Sequence, residues 1–226
     1  MSKKIIVFSP HPDDETFGCG GTIAKKVSEG YEVLIVIMTD GRYAYSKVFG
    51  IDVDPTPEEL EEIRKVEVRR ATRILGLREE NLIFLDFEDG TLEENGEEAE
   101  KEVTKILKGH RPVEVYYVYE KDFHPDHRAT CRIVGNSIKN ARLHTMQYKY
   151  SISLRYGRIG MLMQTLLSLL RHNTSHVDIS DFLHLKEAAI KEFRSEVSII
   201  SERQQRPIVK NYKRFLRNKE IFFIDK

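Results

Sequence analysis

The sequence predicts an α/β fold: a Rossmann-like, doubly wound, mostly parallel sheet with helices on both faces. Three observations predict it. Short apolar runs alternate with helical patterns along the chain, as βαβ units require. The 226 residues suit one domain, 1–226, with a large buried core. Two dense clusters of metal-ligand residues follow the first and fourth apolar runs. Open α/β sheets bind ligands at that place, beyond the carboxyl ends of strands where the strand order reverses.

The elements are expected as follows. Ile5–Phe8 is a strand, and Gly18–Glu29 a helix ended by Gly30. Glu32–Met38, rich in Val and Ile, is the second strand. Thr56-Pro57-Glu58-Glu59 opens a helix: Thr56 is the N-cap, Pro57 takes the first position and Glu59 completes a capping box. Leu60, Ile63, Val66/Val68 and Ala71 recur at helical spacing before Gly76 stops it. Leu82–Leu85 is a strand, Glu97–Leu107 a helix, Val113–Tyr119 a strand and His127–Lys139 a helix. Gln147–Ile152 is a further strand. Asp181–Val197 reads as one helix, with Phe182, Leu185, Ala189 and Phe193 on a stripe. In the common 3-2-1-4 strand order, the first and fourth strands are neighbours.

Composition narrows the function. Lys and Arg number 36 and Asp and Glu number 36, so the net charge is zero. That excludes a globally basic nucleic-acid binder. Two cysteines cannot build a disulfide scaffold and suit a reducing cytoplasm. Ile5–Phe8 is too short for the apolar region of a signal peptide. The most apolar window, Ile159–Leu170, has 12 residues and is too short to cross a bilayer. A cytoplasmic protein without a transmembrane segment is expected.

Ser9-Pro10-His11-Pro12-Asp13-Asp14-Glu15 follows the first strand, and Asp122-Phe123-His124-Pro125-Asp126-His127 follows the fourth. Histidine and carboxylate without thiolate suit zinc or a similar divalent ion. Two polar loops with satisfied histidines are the plainer reading, and one such turn would favour it. Two matched His-Pro-Asp turns at the expected switch point favour a metal site.

These residues resemble the zinc-dependent N-acetylglucosaminyl deacetylase family, the PIG-L/LmbE-like proteins. The resemblance rests on His11-Pro12-Asp13-Asp14-Glu15, Gly20-Gly21-Thr22, Thr39-Asp40-Gly41, Arg64 with Glu67, Leu75-Gly76, Asp89-Gly90 and His124-Pro125-Asp126-His127. A late Asp178…Lys186…Arg194-Ser195 stretch resembles the family's C-terminal helix. The resemblance implies one Zn²⁺ held by His11, Asp14 and His127, with another divalent transition metal as the alternative. It implies Asp13 as general base and His124 as the group that stabilises or protonates the developing intermediate. Asp126 would orient His124 and raise its pKa, giving a bell-shaped pH profile. Arg64 and Asp89 would contact sugar hydroxyls. The implied activity is removal of acetyl from an N-acetylglucosamine-type amino sugar or its conjugate, a small-molecule partner. A non-catalytic metal- and sugar-binding protein of the same fold is the alternative, and Asp13 and His124 argue against it.

The chain departs from the family pattern in two places. Arg42-Tyr43-Ala44-Tyr45 stands where small and acidic residues are expected, and Ser195-Glu196 where Ser-Gln is common. Tyr43, Tyr45 and Phe49 lie in a long loop from Asp40 to Pro55. Packing down is the default for them, and a lid with aromatics facing a sugar the alternative. Cys19 at a helix start reads as a small buried residue rather than a nucleophile. The run Ile159–Leu170, flanked by Arg155, Arg158 and Arg171, reads as a core helix. A substrate rim, a membrane-surface contact or a subunit interface in a homo-oligomer are its alternatives. Glu88–Glu102 holds eight acids and Arg203–Lys219 seven basic residues, which read as solvated faces.

Overall fold

The computed structural model describes residues 3–152 and 173–224. Its seven strands form a single sheet in the order β3-β2-β1-β4-β5-β7-β6. The strands are β1 (Lys4–Ser9), β2 (Glu32–Thr39), β3 (Leu82–Phe87), β4 (Glu114–Val118), β5 (Met146–Tyr150), β6 (Asn173–Asp178) and β7 (Lys219–Ile224). The first five are parallel, with β1 between β2 and β4, as the sequence predicts. β7 runs antiparallel to both β5 and β6.

The apolar run of β1 is continuous because both faces of the sheet are covered. Successive side chains point to opposite faces. Ile5 and Val7 therefore enter one core and Ile6 and Phe8 the other. On the first face pack α1 (Asp14–Ser28), α3 (Pro57–Ile74) and α6 (Leu183–Glu192). On the second pack α4 (Gly96–His110) and α5 (Pro125–Asn140), through Ala99, Val103, Leu107, Ile133 and Val134. Thr56 caps α3 in the expected capping box, with Pro57 at its first turn.

Three expectations change. The helix expected over Asp181–Val197 breaks at Phe193, whose ψ of 65° is not helical, so α6 is followed by a short α7 (Arg194–Val197). The break lets Phe193 stay fully buried while Ser195 and Glu196 turn inward. The loop after Asp40 contains a helix, α2 (Ala44–Phe49), where none is expected, and its Tyr45 packs down as the default reading has it. Tyr45 is buried against Ile51 and Leu60, and its hydroxyl donates to the Ser195 carbonyl at 2.9 Å. Finally, β6 and β7 were not legible: β6 is a polar edge strand without an apolar alternation. The run Ile159–Leu170, with Arg155, Arg158 and Arg171, lies outside the described residues.

Helix α1 is kinked at Cys19, where φ is −142°. Gly18 and Gly21 are needed there: an added Cβ would lie 2.3 Å from the Tyr150 ring and 2.3 Å from Ile179, respectively. Such a kink frees backbone groups inside the core, which cannot be left unpaired. Glu220 of β7 accepts from Gly21 N–H at 3.1 Å and Thr22 N–H at 2.7 Å. Lys186 of α6 donates to the Phe17 carbonyl at 3.0 Å and pairs with Glu220. Both charged side chains are buried, at 0% and 1% exposure. Removing one member of such a pair leaves an uncompensated charge. Lys186→Met is therefore expected to lower unfolding stability by about 3–5 kcal/mol in denaturant titrations. A loss under about 1 kcal/mol would show that the pair does not hold the kink.

Candidate metal centre and catalytic pocket

β1 and β4 lie side by side, so the loops that leave their carboxyl ends meet. Ser9 shapes the first loop. Its hydroxyl donates to the His11 carbonyl at 2.7 Å and accepts from Glu15 N–H at 3.0 Å. Asp13 then takes a φ of 155°, a strained value for a residue with a side chain. The strain has a visible result: consecutive carboxylates face different ways. Asp14 points to the histidines and Asp13 to Arg64.

Three of the expected ligands converge. His11 Nδ1 lies 3.1 Å from Asp14 Oδ2 and 3.2 Å from His127 Nε2. His127 Nε2 lies 3.1 Å from Asp14 Oδ2. A tetrahedral ion with bonds of about 2.0–2.1 Å spaces its ligand atoms about 3.3 Å apart, so this near-equilateral triangle fits a zinc-class ion. Looser groupings share His11: His124 with His127, or Asp89, His124 and Asp126, each within 4.8 Å. The triangle is the tightest of the three.

Electrostatics agree with a cation site. Burial alone would lower the pKa of His11, but hydrogen bonds to Asp126, Asp14 and Asp89 hold it well above the usual value. His127 is likewise pushed up to about 9 against its burial, chiefly by Asp14 and Asp122. Asp14 is pulled below the carboxylate range by the two histidines, again against burial. The carboxylates thus hold positive charge at the position where the ligand atoms meet.

The remote nitrogen of each histidine faces a carboxylate. His11 Nε2 is 3.2 Å from Asp126 Oδ2, and His127 Nδ1 is 3.4 Å from Asp122 Oδ1. Such carboxylate–histidine pairs orient metal ligands. Asp126 is itself fixed by N–H donors from Gly90 at 2.7 Å and Leu92 at 3.3 Å. This corrects one expectation. Asp126 orients His11 and lies 3.8 Å from His124 Nδ1. His124 instead caps α5, its Nδ1 accepting from Asp126 N–H at 3.3 Å. Its hydrogen therefore sits on Nε2. Burial and repulsion from His11 and His127 outweigh Asp126 and lower its pKa to about 4. In the metal-free protein these neighbours favour the neutral imidazole.

Arg64 is buried, but its partners are not on its own helix. It donates to the carbonyls of Gly41 at 3.1 Å and Pro12 at 3.0 Å. It also pairs with Asp13 at 3.2 Å and Glu196 at 3.0 Å. A Cβ on Gly41, where φ is +66°, would lie 2.8 Å from the guanidinium. Burial, then Glu196 and Asp14, raise the Asp13 pKa, while Arg64 opposes them. Asp89 is engaged too: with Lys47 Nζ at 2.9 Å, Tyr43 N–H at 3.1 Å and His11 Nε2 at 3.5 Å. Sequence reasoning gave no role to Asp122, although it opens the second cluster, and noted Glu196 only as a departure.

These groups line a pocket of about 530 Å³. His11, Asp13, Asp14, Arg64, His124, His127 and Glu196 line it together with Ala44, Val48, Phe123, Ile152 and Ile208. Lys47, Asp89, Asp122 and Pro125 complete the lining. A second cavity of about 640 Å³, beside Gly30, Tyr31 and Gly76, carries no comparable ligand cluster. Cys19 and Cys131 are buried and form no disulfide.

Residues 6–138 match the family described as PIG-L: GlcNAc-PI de-N-acetylase. A diacetylchitobiose deacetylase of Thermococcus kodakarensis is 30% identical over 200 residues, covering 86% of this chain and 70% of that protein. A probable N-acetyl-alpha-D-glucosaminyl L-malate deacetylase 2 of Bacillus cereus is 28% identical, covering 72% of this chain and 73% of that one. Among solved structures, the N,N'-diacetylchitobiose deacetylase of Pyrococcus horikoshii superposes with a TM-score of 0.67 at 28% identity, covering 85% of this chain and 70% of that chain.

Proposed function

The chain belongs to the PIG-L family, and from that premise we propose that it is a zinc-dependent amidohydrolase removing acetyl from an N-acetylglucosamine-type amino sugar or its conjugate. The observation that carries this reading is the placement of three ligand atoms, 3.1–3.2 Å apart, in the same pocket as a further carboxylate, Asp13, held by Arg64. His11, Asp14 and His127 would hold the ion. When bound, it would polarise the acetamide carbonyl and acidify the attacking water.

The chain's own residues do the rest. Asp13 accepts the proton of the attacking water. Burial raises its pKa, which favours taking up that proton and passing it to the leaving nitrogen. Arg64 fixes the Asp13 carboxylate in position. His124, neutral and carrying its hydrogen on Nε2, donates to the developing oxyanion. Asp126 and Asp122 hold the ligand histidines in orientation. Arg64 lines the pocket, where its guanidinium would meet a sugar hydroxyl. Asp89 acts on the sugar through the Lys47 and Tyr43 segment that it organises. No helix among the described residues is long and apolar enough to cross a membrane. The unbridged cysteines fit action in a reducing cytoplasm.

Acetate release from N-acetylglucosamine and its glycosides tests this reading. Chelation is expected to remove activity by at least about 100-fold, and one equivalent of zinc per chain to restore it. Turnover that survives complete removal of metal would refute the proposal.

A further inference from the structure

The pocket is lined by charged and by apolar side chains, and one of the apolar ones is an exposed aromatic. Phe123 is 71% exposed, although it sits beside His124 at the pocket mouth. An exposed large aromatic loses nothing by being mobile, yet this one is clamped. Its N–H donates to Asp122 Oδ1 at 2.9 Å, and its carbonyl accepts from Arg128 Nη1 at 2.6 Å. Asp122 also faces His127 at 3.4 Å, so the backbone of Phe123 is tied to the same group that orients a candidate ligand. The same pocket is lined by Val48, 41% exposed, by Ile208, and by Ile152, which is 8% exposed. Its Lys47 is occupied by Asp89.

We propose that this apolar lining selects amino-sugar conjugates whose aglycone is apolar, an aryl or alkyl group, and that Phe123 is the specificity-determining residue. The proposal rests on the deacetylase reading and adds the substrate's other half. The acetamide must reach Asp13 and His124. The anomeric substituent then points outward past Phe123. A second sugar there would bring hydroxyl groups, which discriminate well only where polar partners await them. Among the described residues the lining beside Phe123 offers aliphatic surface at Val48, Ile152 and Ile208, and its Lys47 is engaged by Asp89. An apolar aglycone buries that surface and stacks on a ring whose backbone is already fixed, so little ordering cost is added.

The experiment compares methyl, phenyl and octyl glycosides of N-acetylglucosamine with diacetylchitobiose. Calorimetric binding to the metal-loaded protein reads the apolar lining, and acetate release reads the reaction. The phenyl and octyl glycosides are expected to bind about tenfold more tightly than the methyl glycoside, and kcat/KM to follow. In Phe123→Ala that ratio should fall close to one, and in Phe123→Leu most of it should remain. Equal binding of the methyl and phenyl glycosides by the wild type, an unchanged ratio in Phe123→Ala, or a preference for diacetylchitobiose would each overturn the proposal. Selective binding without acetate release would sustain the lining's selectivity and refute the deacetylase reading instead.

Discussion

Replacing His127 with alanine is expected to empty the metal site and abolish acetate release together. Its Nε2 is one corner of the ligand triangle, 3.2 Å from His11 Nδ1 and 3.1 Å from Asp14 Oδ2. Without it, two protein ligands remain from a single loop, and Asp122 loses the imidazole it faces. Losing a partner that merely orients a ligand typically costs about 10–100-fold in metal affinity. Losing the ligand itself should exceed that range. Zinc content after dialysis against a chelator of known affinity measures the first effect, and acetate release the second. A His127→Ala protein with full metal and activity would remove His127 from the ligand set.

Asp13→Asn should separate the metal from the chemistry. The amide keeps the size of the carboxylate and can still meet Arg64, but it cannot accept a proton. Loss of a positioned general base costs about 10²–10⁴ in rate. The variant is therefore expected to keep one metal ion per chain and to lose kcat by that factor. Asparagine is the informative choice because position 13 has a φ of 155°. Asparagine tolerates positive φ better than alanine, which would mix backbone strain with lost chemistry. Activity within tenfold of wild type would dismiss Asp13 as the base. A variant that loses its metal would place Asp13 among the ligands.

The parallel half of the fold was legible because its signals are local. Ile5–Phe8 and Glu32–Met38 are apolar runs that only a doubly covered strand needs, and Thr56-Pro57-Glu58-Glu59 carries its own cap. The ligand candidates were legible because two His-Pro-Asp turns follow strands that the expected order makes neighbours. What escaped depends on contacts between distant segments. The break at Phe193 follows from burying its ring while turning Ser195 and Glu196 towards Glu67 and Arg64. The partner of Asp126 could not be read from spacing: His124 is two residues away, but His11, 115 residues away, receives the contact. The state of His124 turned on burial and on the charge of its neighbours, neither of which is visible in a motif.

The kink in α1 also bears on when the site can form during synthesis. The residues that would hold the ion all lie before position 128 and emerge from the ribosome early. The helix that begins at Asp14 is completed by Glu220, whose carboxylate reaches back 199 residues to Gly21. Lys186, which closes the same break at Phe17, also arrives late. A nascent chain therefore carries the ligands without the support that gives the helix behind Asp14 its final path. Metal loading is therefore expected to follow translation of β7, and a chain cut short of it would carry the ligands without that support.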